Sequence, residues 1–183
     1  MHKLRPTLWR TCRVIACETR LKLLWTLFEE KELCVKDLAG CLEIGEAQAS
    51  LQLRALNARG LIQSRREKNW VLYSPEANES VDCAVDLLKG LRQCHDRGMA
   101  LTTVIRQATA FTHQRRIEVV RVLQMKELGW EALLETTGMS SSALFLHLNK
   151  LIDRGFVSTC LDKYKVTRPN NRFGNLLLRI AVS

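Results

Sequence analysis

The chain has 183 residues, of which 46% are hydrophobic and 26% charged, and its 28 Lys and Arg against 19 Asp and Glu give a net charge of +9. This composition is typical of a folded globular protein and excludes collagen-like, low-complexity and disordered chains. The positive charge favours a nucleic acid as partner, and no apolar run approaches the roughly 18 residues of a membrane span, so we expect a cytoplasmic protein with no membrane partner.

Three helices are predicted before residue 60. The apolar residues of the first have the i, i+3, i+4, i+7 spacing of one buried helical stripe: Leu21, Leu24, Trp25 and Phe28. A second, short helix is predicted to begin at about Val35 and to bury Leu38 and Leu42. The third is predicted over 46–58 and ends at Gly60, which favours a left-handed cap.

A β-hairpin and a further helix are predicted next. Residues 61–73 are rich in β-formers and predict two strands that turn around 67–69, and Pro75 ends the hairpin. The helix predicted over 77–97 has its apolar residues in line: Val81, Val85, Leu88 and Leu91.

This pattern is repeated in the second half of the chain. Residues 20–27 match 116–123 in apolar frame at an offset of 96, and beyond a one-residue deletion 60–62 match 155–157. The second copy predicts helices, a hairpin around Asp162-Lys163 and a last helix: 116–124, 130–136, 141–153 and 173–181. The sequence therefore predicts a mostly α protein with small β-hairpins, made of two tandem winged helix-turn-helix domains at 1–98 and 99–183.

Five segments together resemble the ArsR-type winged-helix transcriptional repressors: 18–21, 32–39, 50–56, 60–62 and 66–73. The resemblance covers roughly 7–97, and the second copy, roughly 103–182, is similar in frame but more divergent. It implies dimerisation through the first and last helices and one recognition helix per subunit in the major groove. With two copies in one chain, an intrachain pseudo-dimer with an asymmetric DNA target or a homodimer is expected.

Seven cysteines occur without any C-x-x-C pair: Cys12, Cys17, Cys34, Cys41, Cys83, Cys94 and Cys160. We expect reduced, largely buried thiols, with oxidant sensing as a further hypothesis. Many relatives that the resemblance implies sense thiophilic metals, and their pattern needs a second thiolate two residues after Cys34, where this chain has Lys36. Because soft-metal sites need several converging ligands, we predict no metal and no cofactor.

The third helix of each copy predicts the residues that contact DNA. With Ala49, Leu53 and Leu56 directed inward, helical geometry directs another group toward solvent: Gln48, Ser50, Leu51 and Arg54. Gln48 suits adenine, and Arg54 suits guanine or phosphate. In the second copy the corresponding candidates are Ser140, Ser141, Ser142, Asn149 and Lys150. The three serines can cap the helix or hold a phosphate.

Basic residues surround both predicted hairpin turns, where a wing lies along the DNA backbone: Arg65, Arg66, Lys68, Lys163 and Lys165. The first 22 residues are also basic and form a candidate phosphate-facing or solvated patch: Lys3, Arg5, Arg10, Arg13, Arg20 and Lys22. Charged hairpin tips are also common for solubility alone.

The sequence thus predicts a DNA-binding regulator of transcription, a repressor by its resemblance, and not an enzyme. The four histidines, at positions 2, 95, 113 and 147, have no catalytic or metal spacing, and no Gly-rich phosphate loop or nucleophile motif occurs. The alternative is a winged-helix protein-interaction scaffold that does not bind DNA, favoured by the adjacent apolar Phe145 and Leu146.

Overall fold

The computed structural model describes residues 7–183. The helices are α1 Leu8–Ile15, α2 Glu18–Glu30, α3 Val35–Cys41, α4 Glu46–Asn57, α5 Ala84–Asp96, α6 Leu101–Ala110, α7 Gln114–Met125, α8 Trp130–Thr137, α9 Ser141–Asp153 and α10 Arg172–Val182. The strands are β1 Leu33–Cys34, β2 Gln63–Glu67, β3 Trp70–Ser74, β4 Leu128–Gly129, β5 Val157–Cys160 and β6 Lys163–Val166. No helix within 7–183 is long and apolar enough to cross a membrane.

The chain forms two compact units. Unit 1 contains Val14–Ile105, and unit 2 contains Leu8–Arg13 together with Arg106–Ser183. Helices α1 and α6 are each divided between the two units. Each unit has its own apolar core, because the helices of each direct one stripe of leucines and aromatic residues inward.

In unit 1, α2, α3 and α4 pack on one another. A three-stranded antiparallel sheet is formed by β1, which lies between α2 and α3, and by β2 and β3, which follow α4. Its order is β1-β3-β2, with Leu33 opposite Tyr73 and Glu67 opposite Trp70. The hairpin therefore turns through two residues, of which Lys68 has a φ of 53°. This short turn places the exposed strand β2 beside the buried Tyr73 of β3.

Unit 2 has the same order of elements from α7 to α10, and its sheet has the order β4-β6-β5. Leu128 lies opposite Tyr164, and Cys160 lies opposite Lys163. Leu161 and Asp162 form the turn, and both have positive φ. Two positive-φ residues are what a type I′ hairpin turn requires, so this turn matches the twist of its strands.

Both third helices end in the same hydrogen-bonded cap. After α4, Leu61 N–H donates to the carbonyl of Leu56 at 3.2 Å, and after α9, Phe156 N–H donates to Leu151 at 2.9 Å. The cap glycines, Gly60 and Gly155, have φ of 67° and 78°. This is a Schellman motif, and it confirms the left-handed cap that the sequence predicts at Gly60.

A second shared contact fixes the long helix of each unit. Arg20 Nε donates to the carbonyl of Val14 at 2.7 Å, and Arg116 Nε donates to the carbonyl of Ala110 at 2.6 Å. The two pairs are offset by 96 residues, the offset at which residues 20–27 match 116–123 in apolar frame. Burial in unit 2 lowers the pKa of Arg116, with a further contribution from the charge of Arg154.

The structure corrects several details of the predicted elements. The helix expected over 77–97 begins at Ala84, and Val85 is 48% exposed instead of aligned with the buried stripe. Leu42 ends α3 half-exposed. The short strands β1 and β4 were not predicted, because two residues carry no detectable period.

Candidate nucleic-acid interface

The helix-turn-helix of unit 1 consists of α3, a four-residue turn and α4. Within the turn, Glu43 has a φ of 53°, and Ile44 N–H donates to the carbonyl of Ala39 at 3.0 Å. Leu38 of α3 and Leu53 of α4 are fully buried. The turn and this packing fix the direction of α4, so its opposite face points to solvent.

The exposed face of α4 carries the side chains that the sequence selects for DNA contact. Gln48, Leu51 and Arg54 are exposed, Leu51 by 59%, whereas Ser50 is half-buried. Arg54 Nε donates to the carbonyl of Ser50 at 3.4 Å, a long hydrogen bond along the helix. The face is therefore open for base contacts by an amide, an apolar side chain and a guanidinium.

Arg20 of α2 is hydrogen-bonded to a side chain of α4, a contact that the sequence did not reveal. Its Nη1 donates to Oε1 of Gln52 at 2.7 Å, while its Nε bonds the carbonyl of Val14. Arg20 is thus engaged inside unit 1 and is not a surface phosphate contact. Lys22 pairs with Glu18 at 2.7 Å, and Lys3 and Arg5 of the predicted basic patch lie outside the described residues.

The remaining basic residues of that patch contact an aromatic ring. The guanidinium carbons of Arg10 and Arg13 lie 5.1 Å and 5.9 Å from the ring centroid of Trp9. Such cation–π contacts at exposed sites are worth about 0.5–1 kcal/mol.

The basic residues of the first hairpin have different surroundings. Arg65 donates from Nε and Nη2 to the two carboxylate oxygens of Glu32, both at 2.7 Å, and also pairs with Glu67. These carboxylates raise the pKa of Arg65, and the guanidinium lowers the pKa of Glu32. The charge of Arg65 is largely neutralised, while Arg66 and Lys68 are exposed without a partner within 7–183.

The strand register assigns these residues to opposite faces of the hairpin. Arg66 lies opposite Val71 on the face that carries the buried Tyr73, and Arg65 lies opposite Leu72 on the other face. Burial raises the pKa of Tyr73, and the nearby charge of Arg54 opposes this rise. Arg66 therefore shares the face of the hairpin that adjoins α4.

We expect Glu32→Gln to strengthen binding to duplex DNA. The substitution keeps the size of the side chain but removes one of the two carboxylates that pair with Arg65, so the guanidinium, held then by Glu67 alone, is released more readily to a phosphate. The salt dependence of log K is expected to become steeper by about 0.9 for one added phosphate contact. Fluorescence anisotropy titrations over a series of salt concentrations measure this slope.

Glu30→Gln is the matched control, because Glu30 is exposed near Glu32 and has no ion-pair partner within 7–183. If both substitutions change the slope equally, general charge and not the release of Arg65 is responsible.

The outer face of α9 in unit 2 is less polar than that of α4. Phe145 is 57% exposed and Leu146 is 67% exposed. The predicted polar residues are present on the same helix: Ser140, Ser141, Ser142 and Asn149 are exposed, and Lys150 is half-buried. Ser140 Oγ accepts from the N–H of Ala143 at 3.3 Å, so this hydroxyl acts as the N-cap of α9.

A pair of histidines joins α9 to the start of α7. The ring centroids of His113 and His147 are 4.6 Å apart, and His113 Nδ1 accepts from the N–H of Arg115 at 3.2 Å. Burial lowers the pKa of His147, and so do the charges of His113, Arg116 and Arg115. His147 is therefore disfavoured as a cation in the folded state.

Acidification is expected to destabilise unit 2 through His147. Because its folded pKa lies below the unfolded one, the unfolded chain binds more protons once the pH falls below about 6.5, and stability decreases until the pH passes the folded pKa. The melting temperature between pH 7 and pH 5 should therefore fall less steeply in His147→Gln. A parallel pH dependence in the two proteins would contradict this explanation.

The second hairpin presents its lysines differently from the first. Lys163 is exposed and Lys165 half-buried, and the register pairs them with Cys160 and Ser158. They lie on the face opposite the buried Val157. The turn of this hairpin is formed by Leu161, which is 92% exposed, and the exposed Asp162, so its tip is apolar and acidic and not basic.

The cysteines are all free, and they differ in exposure. Three are buried, Cys12, Cys34 and Cys94, whereas Cys41 and Cys160 are exposed. The expectation of largely buried thiols therefore holds for these three cysteines and not for the exposed two. Burial raises the pKa of Cys94 to about 11, which disfavours its reactive thiolate. Within 7–183, no three His, Cys, Asp or Glu side chains are placed to hold a metal ion.

Comparison with known proteins bears on the helix-turn-helix of unit 1. Residues 17–64, which contain α3 and α4, match the bacterial regulatory protein family arsR. This region is an ArsR-family helix-turn-helix domain. The ArsR-family domain thus contains Gln48, Leu51 and Arg54, and the match ends at the start of the first hairpin.

Named relatives share this part of the chain. The arsenic resistance transcriptional regulator ArsR1 of Pseudomonas putida is 33% identical over 81 residues, which is 43% of this chain and 61% of that protein. The cadmium resistance transcriptional regulatory protein CadC homolog of Staphylococcus aureus is 39% identical over 62 residues, which is 34% of this chain and 51% of that protein. The chain therefore spans about half to three fifths of the length of these relatives, and both names describe regulators of transcription.

Two further comparisons extend the set. The arsenical resistance operon repressor of Escherichia coli is 38% identical over 61 residues, covering 33% of this chain and 52% of that protein. The structure of reduced HlyU from Vibrio cholerae is 26% identical with a TM-score of 0.39, covering 48% of this chain and 84% of that one.

Proposed function

We propose that this chain is a cytoplasmic, sequence-specific regulator of transcription, and a repressor, that binds double-stranded DNA and is not an enzyme. The open face of α4, with Gln48, Leu51 and Arg54 exposed, is the observation that carries the proposal. An amide, an apolar side chain and a guanidinium at these positions suit the edges of base pairs in the major groove. The ArsR-family match over residues 17–64 supports the same function.

The proposal includes a second winged-helix domain, so that the domains are 1–98 and 99–183 and arose as tandem copies. The shared order of elements supports this, and so do the matching caps at Gly60 and Gly155 and the matching contacts of Arg20 and Arg116. The two recognition helices then act as an intrachain pseudo-dimer, or the tandem chain forms a homodimer. Because α4 and α9 present different side chains, we expect an asymmetric DNA target.

The predicted DNA contacts outside α4 are not equally available in this proposal. Exposed Arg66 and Lys68 suit a phosphate backbone, whereas Arg65 must first leave its two carboxylates. In unit 2 we assign Ser141, Ser142 and Asn149 to the DNA-facing side of α9. Ser140 already caps that helix.

The exposed apolar surface of unit 2 favours a second candidate function, a protein-interaction scaffold. Phe145, Leu146 and Leu161 are each more than half exposed, and apolar surface of this kind is common in protein interfaces. A scaffold of this type has no need to bind DNA.

Titration with duplex DNA at two salt concentrations distinguishes the two functions. A DNA-binding regulator is expected to bind at low salt and to weaken as salt is added, because each phosphate contact releases counterions. Absence of binding at low salt, or binding that salt does not weaken, would exclude the proposed function and favour the scaffold. A sizing column run on the same protein determines its oligomeric state.

A further inference from the structure

Unit 2 contains a groove lined by basic residues that lie far apart in the sequence. It lies between the end of α7, the strand β6 and helix α10, and its volume is about 460 Å³. We call it the basic groove, and its lining includes Lys126, Glu127, Lys165, Val166, Arg168 and Leu178. Lys165 is among the residues that the sequence selects for DNA contact, but Lys126 and Arg168 are not.

The three cations of the basic groove are available for a ligand. Within residues 7–183, Lys126, Lys165 and Arg168 form no ion pair or side-chain hydrogen bond, and Glu127 is the acidic residue of the lining. Several arginines of unit 2 are instead engaged internally, for example Arg121, whose Nε donates to the carbonyl of Ala181 at 2.7 Å. Three positive charges that share one groove repel one another, so an anion bound there would relieve that repulsion.

The exposure of these cations indicates the kind of anion. Lys126 and Arg168 are exposed and Lys165 is half-buried, so each stays hydrated. Sites for small anions usually enclose the ligand and bury a few polar groups against it. Exposed cations bind a DNA backbone well, because neutralising a phosphate there releases condensed counterions without burying the protein charge.

We propose that the basic groove of unit 2 binds backbone phosphates of duplex DNA through Lys126, Lys165 and Arg168. This inference rests on the proposed function and adds to it a contact surface formed by the end of α7, β6 and α10, apart from the recognition helices and the hairpin tips. The groove uses the Lys165 face of the second hairpin, so the exposed Leu161 at the hairpin tip need not touch DNA. The contact is independent of DNA sequence, since it involves only phosphates.

The test uses the full-length chain and two charge-matched double variants. Lys126→Gln with Arg168→Gln removes two positive charges from the groove, and Lys89→Gln with Arg97→Gln removes two exposed ones from α5 and its C-cap in unit 1. Fluorescence anisotropy measures the affinity for a labelled duplex between about 50 and 200 mM salt. Circular dichroism checks that both variants are folded.

The groove variant is expected to lower the magnitude of the salt slope by about 0.9 for each phosphate that it no longer neutralises, and so by up to about 2, equally for specific and random duplexes. The α5 variant should keep the slope of the unaltered protein. Lys165→Gln alone should lower it by about 0.9. Equal slopes for the groove variant and the unaltered protein would overturn the inference, and so would equal reductions in the two double variants.

A second probe distinguishes DNA from a small anion. Inorganic pyrophosphate is titrated against the unaltered protein and the groove variant, with the melting temperature as readout. Stabilisation by pyrophosphate that is absent in the groove variant, combined with unchanged DNA binding by that variant, would identify a small-anion site and overturn the inference. If the unaltered protein binds no duplex at low salt, the proposed function fails and this inference fails with it. If the unaltered protein binds DNA but the groove variant has the same salt slope, only this inference is refuted.

Discussion

Replacing Arg54 with Ala is expected to change which DNA sequence the protein prefers. Arg54 is exposed on the open face of α4, and because only its Nε bonds the carbonyl of Ser50, its two Nη groups can make a bidentate contact with a guanine. Loss of one such contact removes about 1–3 kcal/mol of discrimination at one base pair, which is about 5- to 150-fold in relative affinity. Selection of preferred duplexes from random sequence, followed by titration of single-base variants, measures the change.

Two further variants determine whether Arg54 contacts a base or a phosphate. Arg54→Lys keeps the charge but not the planar fork, so it should abolish a bidentate base contact and retain a phosphate contact. Arg66→Ala should weaken binding to all duplexes about equally, because Arg66 lies on the hairpin and suits the backbone. If Arg54→Ala also weakens all duplexes equally, and Arg54→Lys restores them, Arg54 contacts phosphate and the assignment of base reading is wrong.

Gly60→Ala is expected to destabilise the end of α4 by about 2–4 kcal/mol. Gly60 has a φ of 67°, where an L side chain is strained by about 1–2 kcal/mol. A Cβ at this position would also lie 2.8 Å from Cβ of Val81, which cannot move without its backbone. Both effects act on the cap that joins the recognition helix to the hairpin.

Gly155→Ala provides the matched control in unit 2. Gly155 occupies the equivalent cap with a φ of 78°, but nothing lies within 4 Å of an added Cβ. We therefore expect Gly155→Ala to cost only the strain of a positive φ, so that hydrogen-exchange protection in α9 falls by about 5- to 30-fold. In Gly60→Ala the clash adds to that strain, and protection in α4 should fall by about 30- to 1,000-fold. Equal reductions would mean that the segment around Val81 shifts to accept the methyl group.

The helices that form the candidate interface were predictable from the sequence. Leu53 and Leu56 are three residues apart on one face of α4, and local periodicity is enough to assign the buried side of such a helix. Gly60 marks the end of the helix for an equally local reason, since a left-handed residue is needed there. The exposure of Gln48, Leu51 and Arg54 follows from the same geometry.

Other features lacked a local signal. The helix expected over 77–97 begins only at Ala84, because the residues before it are held by contacts such as Asn78 N–H to the carbonyl of Gly60 at 2.9 Å. The strand β1 is two residues long and exists because it pairs with β3. Pairing between distant segments compensates for weak local preference, and a single sequence does not reveal it.

The sequence by itself determined the order of the longer helices and the two hairpins, the inward face of α4 and the recurrence of one apolar pattern along the chain, because these depend on the spacing of neighbouring residues. Only the tertiary structure decided which of the many basic side chains keep a free charge. Arg65 meets Glu32, 33 positions away, and Lys126 shares a groove with Arg168, because folding brings distant segments within reach of one another. The interaction of two charges depends on their separation in space and not on their separation along the chain. The pattern of basic residues in the sequence therefore did not distinguish an ion pair from a surface that is free to bind phosphate.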